Sequence, residues 1–246
     1  NQETQRLMAD WVIVGHGRLA TALTSRLDAC GIPYAQWGAR KILTQGLPDM
    51  PSNPKGVMLA IPDDHIQAIA ETFSRLICPI IHPSGTTSIK ALASCKHAAV
   101  WWPMQSFMQD DTPWETLNCF SDALTDEAAK ALTFWQNDLG VPAATQANDI
   151  DRKKYHLGAV FAINFPNHIV GLYQQVFSAM NLPRDAFDQV LQSSVSDALA
   201  GNAIDMQTGP ARRGDKGTLD AHIDLLPEDL KYIYKSLSYS IQKHDT

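Results

Sequence analysis

The stretch Gly15-His16-Gly17-Arg18-Leu19-Ala20 has the residue types that bind a phosphate through the main chain. Gly15 permits a tight turn. Gly17 has no side chain, so a pyrophosphate can approach the backbone. Ala20 is small enough for a helix to lie close on a strand, and the N–H groups at that helix's start face the anion. His16, Arg18 and Leu19 complete a G-x-G-x-x-A motif whose six residues are candidate cofactor contacts. Glycine pairs are common, so the motif takes its meaning from its flanks. Here they are an apolar run before it and helical spacing after it.

Further chemistry lies downstream. A site built for NAD places an Asp or Glu about 20 residues past the glycines, on the ribose hydroxyls. This chain has Gly38, Ala39, Arg40 and Lys41 there, without a carboxylate. Arg40 can clamp a 2′-phosphate bidentately and Lys41 can add charge, which predicts NADP over NAD. Alternatively, both are solvated surface charges. Ile61 and Pro62 close an apolar run and are expected under the nicotinamide side. Asp63, next, reads as a cap or turn residue. Two hydroxyl-bearing or amide-bearing loops, His82 to Ser88 and Pro103 to Phe107, each follow an apolar run. They nominate His82, Ser84 and Gln105 as substrate contacts.

In the second half, at 100° per residue, Lys153, His156, Val160, Asn164 and Asn167 fall within about 80° of one another on a helix. His156 can act as an acid near neutral pH, and Asn164 can hold developing charge by hydrogen bonding. Asn167 is a substrate contact on the same stripe. The alternative is that His156 only packs or caps. Pro166 should kink this helix and free the carbonyl of Ala162. The loop from Gln207 to Asp215 carries Arg212 and Arg213, which can hold a carboxylate or phosphate or simply form ion pairs.

The elements that must position these residues follow from periodicity. Trp11–Val14 reads as a buried strand, and Leu19, Ala22, Leu23, Leu27 and Cys30 as the apolar face of the next helix. Further strands are expected at Pro33–Arg40, Gly56–Ile61, Cys78–Ile81, Ala98–Trp102, Leu117–Phe120 and Val141–Thr145. Residues 44 to 55 read as a polar loop. Helices are expected from His65 to Leu76 and from a Thr125 cap to Leu139. From Asp149 onward only helical spacing appears: Arg152–Met180, Pro183–Leu199, one from about Thr218 and one from Pro227 to Lys243. The fold class is therefore α/β, a doubly wound sheet over 1–148 followed by an all-helical region over 149–246. So small a helical region can bury its apolar helix against a second copy.

Bulk properties narrow the function. With 45% hydrophobic and 19% charged residues, the 246-residue chain reads as soluble and globular. A net charge of −6 argues against binding nucleic acid or other polyanions. No apolar run reaches the length of a membrane span, and the polar start lacks a signal-peptide core. Cys30, Cys78, Cys95 and Cys119 contain no C-x-x-C pair, so no metal site and a cytoplasmic setting are expected.

The glycine motif, HPSGTTS, WPMQSF, the YHLGAVFAINFPNH helix and QTGPARRGD together resemble Rossmann-like proteins with a helical C-terminal domain of unknown function, provisionally called NADP oxidoreductases. The resemblance spans about 10 to 243. It implies an architecture like the pyrroline-carboxylate reductases and the 6-phosphogluconate type of hydroxyacid dehydrogenase. It further implies NADP(H) at Gly15–Ala20, homodimerisation through the helical domain and a cleft between domains. The hydroxyacid dehydrogenases use a helix Lys as acid or base. Here Lys153 and Lys154 lie at the helix start, Asn164 stands nearer that place, and Ile163 stands where many relatives carry a second Asn. Two functions are expected: an oxidoreductase reducing a small carbonyl or imine, or a non-catalytic dimeric NADP-binding sensor or scaffold.

Overall fold

The computed structural model describes residues 8–107 and 111–244. Most of the polar start, residues 1–7, lies outside them. Among the described residues seven strands form one sheet: β1 Trp11–Val14, β2 Tyr34–Trp37, β3 Gly56–Leu59, β4 Ile80–His82, β5 Ala98–Pro103, β6 Cys119–Ala123 and β7 Thr145–Gln146. Their order is β2-β1-β3-β4-β5-β6-β7. The first five run parallel, β6 is antiparallel to β5, and β7 is parallel to β6.

Alternation along the strands feeds two cores. Val12, Val14, Val57 and Leu59 face Ile42 of helix α2 (Ala39–Gln45) and Ile66 and Ile69 of α3 (Ile66–Thr72). Trp11, Ile13 and Met58 face Leu23 and Leu27 of α1 (Arg18–Ala29) and Leu132 and Trp135 of α4 (Asp126–Leu139). Both sheet faces are thus covered, which is why the central strands are apolar on both sides. The Trp135 ring meets Trp11 edge-on at 4.8 Å and Trp101 at 5.7 Å. Thr125 caps α4 by accepting from the Ala128 N–H, and Gly140, at φ 62°, ends it.

The helical region contains α5 Asp149–Ala159, a π-turn Val160–Asn164, α6 Phe165–Ala179, α7 Asp188–Ala200, α8 Lys216–Leu225 and α9 Glu228–Lys243. By packing, the chain divides into two compact units, 1–160 and 161–246, so α5 belongs with the sheet. No described helix is long and apolar enough to cross a membrane.

Several elements differ from expectation. The second strand stops at Trp37, not Arg40, because Gly38 caps α2 and puts Arg40 and Lys41 in its first turn. That helix also takes the start of the expected 44–55 loop. The fourth strand shifts to include His82. The seventh starts only at Thr145 because Pro142 has no N–H to give a ladder, and the Ala144 N–H is taken by Gln136 Oε1 at 2.5 Å. The long helix is interrupted by the π-turn just before Pro166, whose missing N–H prevents regular bonding. The helix after it begins only at Asp188. The Tyr173 hydroxyl holds the preceding turn, donating to the Arg184 carbonyl at 2.7 Å and accepting from the Phe187 N–H at 3.2 Å.

Candidate functional site

Strand order reverses at β1, which has β2 on one side and β3 on the other. Open parallel sheets bind ligands beyond the carboxyl ends of their strands at such a point. Gly15 lies there. Its N–H donates to the Trp37 carbonyl at 2.8 Å, and its carbonyl accepts from Gln36 Nε2 at 2.9 Å. Its φ is +128°, and a Cβ on it would stand 2.0 Å from the Ala60 oxygen. Only glycine fits.

Gly17 is different. Its backbone is ordinary extended chain, and a Cβ there would meet nothing within 4 Å among the described residues. It is the N-cap of α1, which has neither a side-chain cap nor an acidic residue in its first turn. The start of a twelve-residue helix therefore faces open space, with its dipole favouring an anion. A cavity of about 350 Å³ occupies that space. Gly15, His16, Gly17, Arg18 and Leu19 line it from one side, and Ala39, Ala60, Ile61 and Pro62 from the others. Ala20 is fully buried beneath it, in the contact of α1 with the sheet. Arg40 is exposed on α2, one residue beyond Ala39.

The ends of β4 and β5 carry a second cluster. His82 is fully buried. Its Nδ1 accepts from the Ser84 N–H at 3.2 Å, while Nε2 has no hydrogen-bond partner among the described residues. Burial, reinforced by the nearby Arg152 guanidinium, pushes the imidazole down to about 4. The Ser88 backbone and the Asp63 and Asp149 carboxylates oppose that shift. Ser84 Oγ donates to Asp63 Oδ2 at 2.6 Å and accepts from the Thr86 and Thr87 N–H groups at 3.2 and 2.9 Å. Thr86 Oγ1 donates to the same Asp63 oxygen at 2.9 Å. Asp63 therefore ties the end of β3 to the loop after β4. Gln105 is exposed after β5.

The loop after β4 packs on Trp102. A Cβ on Gly85 would stand 2.6 Å from the indole Cε2. The indole stacks on Phe120 at 5.3 Å and meets His156 of α5 at 5.8 Å. Phe120 in turn meets Tyr155 at 4.1 Å. His156 is thus half-buried on an aromatic support in the first unit. Asn164 and Asn167, both exposed, lie in the second. The stripe drawn at 100° per residue does not carry through the π-turn, which adds a residue to its turn.

In the second unit Arg212 is half-buried beside a cavity of about 110 Å³, shared with Gln207, Leu237 and His244. Arg213 is exposed. Asp215 caps α8 by accepting from Thr218 N at 3.1 Å and Oγ1 at 2.7 Å, and these bonds hold its carboxyl below the usual range.

Sequence reasoning missed the residues that hold the cluster together. Arg152 is 1% exposed, and its guanidinium donates to the Ala147 carbonyl at 2.9 Å and the Thr87 carbonyl at 3.3 Å. Asp149 accepts from Arg152 at 2.5 Å, from the Ile89 N–H at 3.0 Å and from the Ser88 hydroxyl. Partial burial raises the Asp149 carboxyl, but these donors outweigh it and hold the group below the usual range. The available signal was an Arg three residues after an Asp, just past the Asn148 cap.

The family model described as Domain of unknown function (DUF2520) matches residues 119–241, half of the chain. The chain belongs to this family. No curated protein matches the chain. Among solved structures, one from Bacteroides fragilis, provisionally described as an NADP oxidoreductase, superposes with a TM-score of 0.81. It is 24% identical, over 96% of this chain and 99% of that one. A reductive aminase from Aspergillus terreus, in complex with NADPH and ethyl levulinate, superposes at 0.66 with 12% identity, over 96% and 94%. A pyrroline carboxylate reductase from Plasmodium falciparum with NADP bound superposes at 0.58 with 10% identity, over 97% and 98%. This DUF2520 chain shares the fold of NADP-dependent reductases.

Proposed function

We propose that the protein is an NADP(H)-dependent oxidoreductase that reduces a small carbonyl or imine compound, and that it acts as a homodimer joined through its helical region. One observation carries the cofactor reading: Gly17 is open in front of the uncapped α1, at the switch point of the sheet. The residues present fit a dinucleotide. The peptides from Gly15 to Ala20 would hold the pyrophosphate, Ile61 and Pro62 would border the nicotinamide half, and Arg40 would meet a 2′-phosphate. When bound, such a cofactor supplies hydride chemistry.

The protein's own part is binding and proton placement. His156, supported on Trp102, is assigned to give a proton to the substrate, with Asn164 holding developing charge. Gln105 and Asn167, both exposed, are assigned to substrate contact and Arg212 and Arg213 to an anionic group on it, while the buried His82 and Ser84 support the loop after β4. The four free cysteines support a cytoplasmic setting. For the homodimer the support is surface composition. Among the described residues of the second unit only Ala211 and Leu230 are buried apolar side chains, while Leu199 is 84% exposed and Phe161 64%.

Calorimetric titration with NADPH, NADH and NADP⁺, on the parent chain and Arg40→Ala, tests the cofactor. Tight NADPH binding weakened selectively in Arg40→Ala is expected; binding of none of the three removes the oxidoreductase reading. NADPH consumption against keto acids, cyclic imines and aldehydes then tests turnover. In His156→Ala that turnover should fall with cofactor binding intact. The lack of any lysine from Tyr155 to Met180 favours a second reading, a non-catalytic NADP-binding sensor or scaffold. Tight binding with no consumption of NADPH across the panel would select it.

A further inference from the structure

We infer that His16 and Gly38 form a pair that selects a phosphorylated ribose over a bare one. The inference rests on the nucleotide reading above and deepens it. The Gly15 peptide is hydrogen-bonded to β2 on both its sides and pressed against β3, which leaves the next residue little freedom. The His16 imidazole consequently stands over Gly38, the first residue beyond β2. A Cβ at Gly38 would lie 3.6 Å from its Cε1 and 3.8 Å from its Nδ1.

Position 38 is where a doubly wound sheet built for a bare ribose places its carboxylate. Nothing local demands glycine here. The backbone, at φ −88° and ψ 125°, is open to any residue, and as the N-cap of α2 the position favours Asp, Asn or Ser. Glycine keeps a carboxylate away from this corner, and the ring lies in ordinary contact range of the space a Cβ would fill. The imidazole then offers a nitrogen to the ribose substituent from one side, while Arg40 and Lys41 stand exposed in the first turn of α2. Two cations and no carboxylate from 38 to 41 suit a phosphomonoester.

The test uses adenosine 2′,5′-bisphosphate and adenosine 5′-monophosphate, which differ only in the 2′-phosphate, titrated calorimetrically into the full chain. His16→Ala, at an exposed position, should weaken the bisphosphate about tenfold and leave the monophosphate within about twofold, the size expected for one lost bond to a charged group. Gly38→Asp, compatible with the backbone and a better helix cap, should abolish or reverse the parent's preference. Equal effects of His16→Ala on both ligands, or none, overturn the assignment of His16. An unchanged preference in Gly38→Asp overturns the pairing. If the parent binds neither compound, nor NADPH, the nucleotide reading itself falls, a result distinct from losing selectivity alone.

Discussion

Arg152 Nη2 lies 2.5 Å from Asp149 Oδ1, one helical turn back, and the arginine side chain is 1% exposed. The same guanidinium reaches the carbonyls of Ala147 and Thr87, and Asp149 reaches Ser88 and Ile89. One ion pair therefore joins the start of α5 to the loop after β4, and so sets where His156 meets Trp102. Removing one partner leaves a partly buried charge unpaired. Arg152→Met should cost about 3–5 kcal/mol of stability, read as a fall in the urea midpoint. Arg152→Lys should recover little of it, since one ammonium cannot span the same acceptors. A loss below about 1 kcal/mol in Arg152→Met would show the pair to be dispensable.

His82 makes stability depend on pH. Burial first, then Arg152, lowers its folded value to about 4 from an ordinary 6.5. Between those values the unfolded chain binds a proton that the folded chain does not, so stability rises with pH in that window. It falls as pH drops from 6.5 toward 4, by a contribution on the order of 3 kcal/mol, complete below the folded value. His82→Gln removes that contribution, so its stability should decline less steeply across the window. Thermal midpoints measured stepwise through it should diverge in slope between parent and variant. Parallel curves would mean that His82 is not held neutral.

What could be read beforehand was what is local. The apolar run Trp11–Val14, the glycine turn into α1 and the helical periodicity beyond Asp149 each depend only on residues close in the chain, and each reappears in the fold. The antiparallel direction of β6 could not be read, because a strand's own residues carry no sign of its neighbour's direction. Helix α2 was hidden because the apolar-to-polar run Pro33–Arg40 read as one strand, which covered the start of the helix at Ala39 and Arg40. The Arg152 cluster draws on Thr87, Ser88 and Asp122, more than twenty residues away, which only the sheet topology brings together. Likewise Gly85 and Trp102 are unremarkable apart until the ring lies on the missing side chain.

Gly15 and Gly17 should fail differently when replaced. A Cβ on Gly15 collides with the Ala60 oxygen at 2.0 Å, at a φ of +128°. Relief requires β1 or β3 to move, so Gly15→Ala should lose stability by several kcal/mol, about 2–4, and lose nucleotide binding with it. The Cβ of Gly17→Ala meets no atom of the described residues within 4 Å. This variant should keep stability within about 1 kcal/mol, yet weaken NADPH at least tenfold if, as proposed, the pyrophosphate approaches the backbone at this point. Urea titration and calorimetry on the two variants separate the cases. A Gly17→Ala chain that binds NADPH like the parent would place the phosphates elsewhere.

The helical unit predicts its own assembly state. Its described residues include Phe161 at 64% exposure, Leu199 at 84% and Tyr232 at 82%, with almost no buried apolar side chain to offset them. Apolar surface beyond a few hundred Å² is rarely left open on a monomer, and covering it is worth about 25 cal/mol per Å². A second copy supplies the matching surface by symmetry. The parent should therefore sediment as a dimer. Phe161→Asp and Leu199→Asp, at positions exposed within one protomer, should shift it toward monomer while far-UV circular dichroism keeps its helical signal. A parent that sediments as a monomer throughout overturns the assembly, and a variant that loses its helical signal shows that the side chain serves the protomer's own fold instead.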